Sequence, residues 1–294
     1  MDIRDLEVFL AVVKHLSFTR AGEEVHLSQP SVSVRIRRLE EELQVKLFDY
    51  VGKKVVLLDA GRLLEPYARH AVTALDNARQ AIKEFQGLEQ GSLRIGASTT
   101  PGMYLVPRII AKFHGQHPKI AIRLSIKNTG QVEEGIIKNE FDLGFVGGHL
   151  ISDEIEMLPW LTDELVLVVP PDHTLARRKQ IKLSKLAKER FIYREPGSAT
   201  RAVVEKKMRE LNLPLEAAVE LGNPEAVKQA VIGGLGIAFL SKFAIEMELK
   251  AKRLMAVKIR GVRINRELKI IHPNGRHLSR AAIALIETAQ QLQR

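Results

Sequence analysis

The chain contains no cysteine and no uninterrupted apolar run near the ~18 residues that a membrane-crossing helix needs. The first absence excludes disulfides and thiolate chemistry and fits a reducing compartment. The second predicts no membrane span. No secretory leader is expected, because Met1-Asp2-Ile3-Arg4-Asp5 is charged and the next helix is amphipathic, so the expected location is the cytoplasm. Enzymatic signatures are missing too. There is no Gly-Lys-Ser/Thr phosphate loop and no Gly-x-Ser-x-Gly nucleophile elbow. Gly233-Gly234-Leu235-Gly236 follows a predicted helix and precedes a predicted strand, the wrong order for a dinucleotide loop. His114 and His117 have the spacing of a metal pair without a further ligand set, so they read as solvated loop histidines. No enzyme, no resident cofactor and no metal are expected.

What is present is an ordinary soluble composition, 45% hydrophobic and 27% charged, over 294 residues, enough for two or three domains. The net charge of +10 invites a nucleic-acid partner, but its distribution complicates that reading. Residues 1–62 hold ten Lys/Arg and ten Asp/Glu, whereas residues 164–264 hold twenty against eleven. A DNA interface in the first part must therefore rest on where individual cations fall. The distal excess reads as a soluble basic surface or as support for an anionic ligand.

The stretch Ser17 to Val56 carries the strongest pattern. Ser28 is a good helix N-cap, Pro30 falls in the first turn, and Val32, Ile36, Leu39 and Leu43 recur at helical period as one apolar stripe. At about 100° per residue the opposite face carries Pro30, Ser33, Val34 and Arg37, with Ser31 and Arg38 beside it. Small hydroxyls near the N-terminus let a helix approach base edges, and arginines further along meet phosphates. Ser17 to Val25 reads as the preceding helix, and His26-Leu27 as the turn between them. Val51-Gly52-Lys53-Lys54 forms the tip of a predicted two-strand wing. Ser28, Gln29, Pro30, Ser31, Ser33, Val34, Arg35, Arg37, Arg38, Lys53 and Lys54 are the candidate DNA contacts, Arg35 projecting to the side.

Phe9, Ser17-Phe18, Ala21, Leu27-Ser28-Gln29-Pro30-Ser31-Val32-Ser33, Leu39-Glu40, Leu47-Phe48 and Ala60-Gly61 together resemble the winged DNA-binding domain of LysR-type transcriptional regulators. Gln44 stands where that family usually has Gly, Tyr50 where it commonly has Arg, and Leu58 where it usually has Thr. The resemblance implies double-stranded promoter DNA as partner, a homo-oligomer (dimer or dimer of dimers), and RNA polymerase as a further candidate partner. The competing class is a ligand-binding receptor without a DNA-reading role, which the lack of a leader disfavours.

From Ala60 to Leu88 the pattern turns to heptads, with Leu64, Tyr67, Ala71, Ala74, Ala78, Ala81, Phe85 and Leu88 forming an a/d seam. This looks like the family's linker helix, and Pro66 within it should kink it. Residues 86–91 read as a hinge. Beyond it, short strands alternate with helices, which predicts mainly parallel α/β sheets. Two such series with a return strand resemble the family's effector domain, two α/β lobes like a periplasmic binding protein. The expected fold is α/β: a winged helix-turn-helix over residues 1–60, a dimerisation helix over 61–88 and an effector domain over 92–294. Lobe I would span 92–162 and 266–294, and lobe II 163–265, with crossings near Leu161-Thr162-Asp163 and Asn265-Arg266-Glu267.

Ligands of such sheets bind beyond the strand ends, at helix N-termini. Ser98-Thr99-Thr100 before Pro101-Gly102, Glu195 to Thr200 in the second series, Asn223 before Pro224, and the flexible end at Gly147 are such places. The effector candidates are Ser98, Thr99, Thr100, Gly147, Glu195, Ser198, Thr200 and Asn223. The Ser-Thr-Thr-Pro-Gly segment looks most like the branch holding regulators of sulfur assimilation, sulfite response and Calvin-cycle genes. That implies an oxyanion or phosphorylated metabolite as effector.

Overall fold

The computed structural model describes residues 1–52, 54–85, 91–148, 152–213, 215–275 and 278–291, the side chains of 76, 77, 80, 81 and 83–85 excepted. It divides into two compact units, Met1–Leu88 and Glu89–Arg294.

The first unit comprises α1 (Ile3–His15), α2 (Phe18–Val25), α3 (Gln29–Leu43), a wing of β1 (Phe48–Val51) and β2 (Lys54–Leu57), and α4 (Asp59–Phe85). Caps delimit the helices: Ser17 Oγ accepts the Arg20 N–H and Ser28 Oγ the Ser31 N–H. Phe9, Val12, Ala21, Val32, Leu39 and Leu47 meet in one core. Leu64, Ala68, Ala71 and Val72 of α4 pack against it, so part of the predicted seam serves its own unit. Tyr67, Ala74 and Ala78 are exposed, while the Ala81 and Phe85 side chains and all of Leu88 fall outside the described set. α4 runs 27 residues as one helix with Pro66 inside it. Gln44 ends α3 at φ 54°, the left-handed conformation for which glycine is best suited.

The second unit begins β3 (Gly91–Ser98), α5 (Thr99–Tyr104), α6 (Val106–Gln116), β4 (Ile120–Lys127), α7 (Thr129–Ile137), β5 (Leu143–Gly147) and the long β6 (Ile155–Val169). It continues β7 (Gln180–Ile181), a 3₁₀ turn (Leu183–Lys188), β8 (Phe191–Arg194), α8 (Ala199–Glu210), β9 (Ala217–Leu221) and α9 (Pro224–Ile232). After β10 (Ala238–Ser241), a 3₁₀ turn (Lys242–Ala244) and α10 (Glu246–Lys250), it closes with β11 (Met255–Ile259), β12 (Ile264–Pro273) and α11 (Arg280–Gln291). The main sheet has the order β4-β3-β5-β12-β6-β11-β7, with β10 also paired to β6. β3 is parallel to β4 and β5, but β12 is antiparallel to both β5 and β6, and β6 is antiparallel to β10 and β11. The sheet is therefore mixed rather than mainly parallel. β6 leads out of the first lobe and β12 returns beside it, so their directions must oppose.

The two lobes have separate cores, one around Phe113, Phe145, Trp160, Leu268 and Leu285, the other around Leu167, Phe191, Met208 and Ile237. β6 contains Pro159, which cannot donate to the ladder. A bulge absorbs it: Leu268 pairs with Leu161 and Lys269 with Pro159, leaving Trp160 as the extra residue. The Trp160 ring is buried edge-on to Phe145 at 5.1 Å, and its indole N–H donates to the Ala289 carbonyl at 3.1 Å.

Candidate functional site

In the first unit α3 turns Val32, Ile36 and Leu39 into the core. The opposite side leaves Ser28, Gln29, Pro30, Ser31, Val34, Arg37 and Arg38 exposed, and Ser33 half-buried. Two short interactions order its first turns: the Ser28 and Ser31 hydroxyls lie 2.8 Å apart, and Gln29 Nε2 donates to Ser33 Oγ at 3.0 Å. Lys54 is exposed at the start of β2, while Lys53 lies outside the described residues. Tyr50 stacks on Phe18 with ring centroids 6.2 Å apart.

Arg35 has a structural partner as well. Its Nη1 donates to Asp5 Oδ1 at 2.7 Å, and Asp5 is fully buried in the capping box that starts α1. That pair anchors Arg35 to α1 through Nη1, while about a third of the side chain stays exposed beside the helix's open face. Glu40 plays a matching part on the far side of α3. Its buried carboxylate accepts the Leu47 N–H at 2.8 Å and the Phe48 N–H at 3.3 Å, and meets Lys46 Nζ at 2.8 Å, which ties α3 to the wing.

In the second unit, strands from both lobes end at one small cleft. Ser98, Thr99 and Thr100 contribute from the β3–α5 junction and Asn128 and Thr129 from the start of α7. Arg194, Glu195, Ser198, Ala199 and Thr200 contribute from the β8–α8 junction, and Arg266 from β12. The cleft's own side chains nearly fill it, leaving a cavity of about 10 Å³, space for one water, so a ligand enters only when a side chain moves. Ser98 precedes α5 without giving it a side-chain cap, whereas Ser198 caps α8 by accepting the Arg201 N–H.

The charges are the part of the cleft that its serines and threonines did not announce. Arg266 is buried; Nε donates to Asp163 Oδ2 at 2.8 Å, Nη2 lies 2.7 Å from the same oxygen, and Nη1 donates to Thr200 Oγ1 at 2.9 Å. Ser241 Oγ donates to the other Asp163 oxygen at 2.7 Å. Burial pushes the Asp163 carboxyl above the ordinary carboxylate range, while Arg266 and Ser241 pull it back. Burial likewise pushes the Arg266 guanidinium down. Each charge is costly to bury and is held there by the other. Arg194, also buried, donates through Nε and Nη2 to the two Glu195 oxygens, each at 2.7 Å, and through Nη2 to Thr99 Oγ1 of the opposite lobe at 3.3 Å.

Two effector candidates sit differently from the other six. Gly147 borders the cleft: its carbonyl accepts the Thr129 hydroxyl at 3.1 Å, and a Cβ there would lie 3.4 Å from Arg266 Nη1. Asn223 does not line the cleft. It is the N-cap of α9, with Oδ1 accepting the Ala226 N–H at 2.8 Å. Arg194 opens the segment that the sequence picks out at Glu195 to Thr200, whereas Arg266 and Asp163 pair across 103 positions, which neither residue reveals alone. Asn128-Thr129 could have been found, because it repeats the pattern of a strand end, a capping residue and a helix start.

Two sequence families match the chain: "Bacterial regulatory helix-turn-helix protein, lysR family" over residues 3–62, and "LysR substrate binding domain" over residues 86–294. A RuBisCO operon transcriptional regulator from Allochromatium vinosum is 38% identical over 287 residues, covering 98% of this chain and 95% of the relative. The regulatory domain of CcmR from Synechocystis, solved in complex with 2-PG, aligns with a TM-score of 0.66 at 30% identity, over 70% of this chain and 98% of that one. A full-length OxyR variant from Pseudomonas aeruginosa aligns with a TM-score of 0.79 at 22% identity, over 98% of this chain and 94% of that one.

Proposed function

This chain belongs to the LysR family of bacterial transcriptional regulators, DNA-binding proteins with an effector domain, and from that premise we propose that it regulates transcription in response to a small anionic metabolite held in the second unit's cleft. The observation that carries the reading is the convergence of seven Ser, Thr and Asn side chains from both lobes with two buried guanidiniums. Hydroxyls and guanidiniums in a small, desolvated space suit a carboxylate or phosphate head. The 30% identity to CcmR, solved with 2-phosphoglycolate, supports the same class of ligand.

The effector domain spans residues 92–294, and its ligand acts by preferring one arrangement of the lobes, since equal affinity for two arrangements shifts neither. The DNA-reading set is Ser28, Gln29, Pro30, Ser31, Ser33 and Val34 toward base edges, with Arg35, Arg37, Arg38, Lys53 and Lys54 toward phosphates. The chain works as a dimer or a dimer of dimers. Leu63, Tyr67 and Ile82 of α4 are 60–67% exposed, and such bare apolar side chains on a long helix support pairing with a second copy. Among the described residues no helix is long and apolar enough to cross a membrane.

Thermal unfolding of the full chain with 2-phosphoglycolate, phosphate, sulfate and sulfite tests the effector reading. The right anion at about 100 times its dissociation constant stabilises the protein by about 2.7 kcal/mol, and Thr100→Ala removes the effect. A shift that Thr100→Ala leaves intact would move the effector out of this cleft. For DNA, Arg37→Ala is expected to lose about 1–3 kcal/mol of affinity at fixed salt in a gel-shift titration on the upstream DNA of its own gene. Unchanged binding would strike Arg37 from the contact set.

A further inference from the structure

We propose that Glu195 is an internal competitor for the effector, a carboxylate of the chain itself that occupies the anion position on Arg194 and must leave before a ligand is bound there. The inference rests on the effector reading above and names the step that sets its threshold. Arg194 and Glu195 meet fork to fork, Nε to Oε2 and Nη2 to Oε1, both at 2.7 Å. This is the geometry in which a guanidinium receives an incoming carboxylate or phosphate.

The two partners are unequal in freedom. Arg194 ends β8 with its side chain 4% exposed and its Nη2 also reaching Thr99 across the cleft. The Glu195 side chain is 27% exposed and can rotate into water. Its backbone cannot move as easily. The Glu195 N–H donates to the Leu221 carbonyl at 3.2 Å, and its own carbonyl accepts the Ser198 N–H at 3.2 Å, closing a tight turn through Pro196 and Gly197, the latter at φ +83°. The turn therefore keeps Ser198 at the cleft whichever way the Glu195 side chain points.

Charge balance sharpens the argument. The cleft wall holds two guanidiniums, Arg194 and Arg266, and their two carboxylates, Glu195 and Asp163. Asp163 is locked, with both oxygens bonded and none of its side chain exposed. An anion entering beside Glu195 would bring a third negative charge into a balanced, poorly solvated space. An anion that takes the place of Glu195 leaves the balance unchanged. The device selects for ligands with two oxygens able to span the Arg194 fork, because a neutral polyol has no charge with which to displace the carboxylate. It also lowers apparent affinity by the fraction of time the position is free.

The test is calorimetric titration of the full chain, wild type and Glu195→Gln, with 2-phosphoglycolate and with inorganic phosphate. Glutamine keeps the size and removes the charge, so Glu195→Gln is expected to bind one or both probes at least tenfold tighter, and Glu195→Ala should follow it. Arg194→Met should abolish binding in either background. Tight binding by Glu195→Gln when the wild type binds weakly or not at all supports the competitor role. Equal or weaker binding by both Glu195 variants, with the wild type binding, overturns it and makes Glu195 a ligand contact, while the anionic-effector reading stands. If neither wild type nor variants bind either probe, both the competitor and the anionic effector fall.

Discussion

Arg266→Met is expected to destabilise the second unit by about 3–5 kcal/mol, because it leaves Asp163 charged, buried and without its counter-ion. The effect should read out in calorimetry as a lowered transition for the second unit, with the first unit unmoved. Adding Asp163→Asn should recover most of the loss, since a neutral pair replaces a stranded charge; a double variant as unstable as the single one would rule out this origin. The pH dependence has a definite sign. Burial already raises the Asp163 carboxyl in the intact protein, and without the guanidinium it rises further. The folded variant then holds a proton more tightly than its unfolded chain, so the deficit is full above the raised folded value and shrinks as pH falls through it toward the ordinary carboxylate range. A deficit that stays constant with pH would point to lost packing instead.

Glu40→Ala is expected to cost the first unit about 3 kcal/mol, since two backbone N–H groups at the base of the wing lose a charged acceptor. Glu40→Gln should cost roughly half as much, because an amide oxygen still accepts. The same change uncouples the wing from α3, so DNA affinity should fall with the stability even though Glu40 itself faces the protein interior. Denaturant midpoints together with gel shifts separate the two effects. A stable Glu40→Ala protein with full DNA affinity would leave the carboxylate without a structural role.

The first unit was legible because its signals are local. Ser17 and Ser28 cap their helices, the Val32-Ile36-Leu39 stripe is spaced for one helix face, and Gly52 sits at φ 64° in the wing turn. For Arg35 a helical wheel reports which way the side chain leaves the helix, not that Asp5 lies buried beneath it. In the second unit the apolar strands were legible and their directions were not. Neither was Ile155 to Glu164 of β6, where Pro159 and alternating polar residues hide a strand that only the bulge permits. The cleft was half visible. Hydroxyl residues after a strand announce a helix start and a polar end, so Ser98 to Thr100 and Ser198 to Thr200 could be picked out. Asn223 bears the same mark for a plain cap, and Arg266 depends on a pairing across 103 positions that no local pattern encodes.

Trp160 gives the molecule an optical property. It is the single tryptophan of the chain, so intrinsic emission excited at the red edge has one source, three residues before Asp163 on the strand that leads to the cleft. The indole is shielded from water, bonded to α11 and set against Phe145, so its colour and intensity report the seating of β6 in the first lobe. With no cysteine in the sequence, one engineered thiol on the second lobe could be labelled without competition. Energy transfer from Trp160 to that dye would then report any change in the distance between the lobes in real time, with the cleft residues untouched.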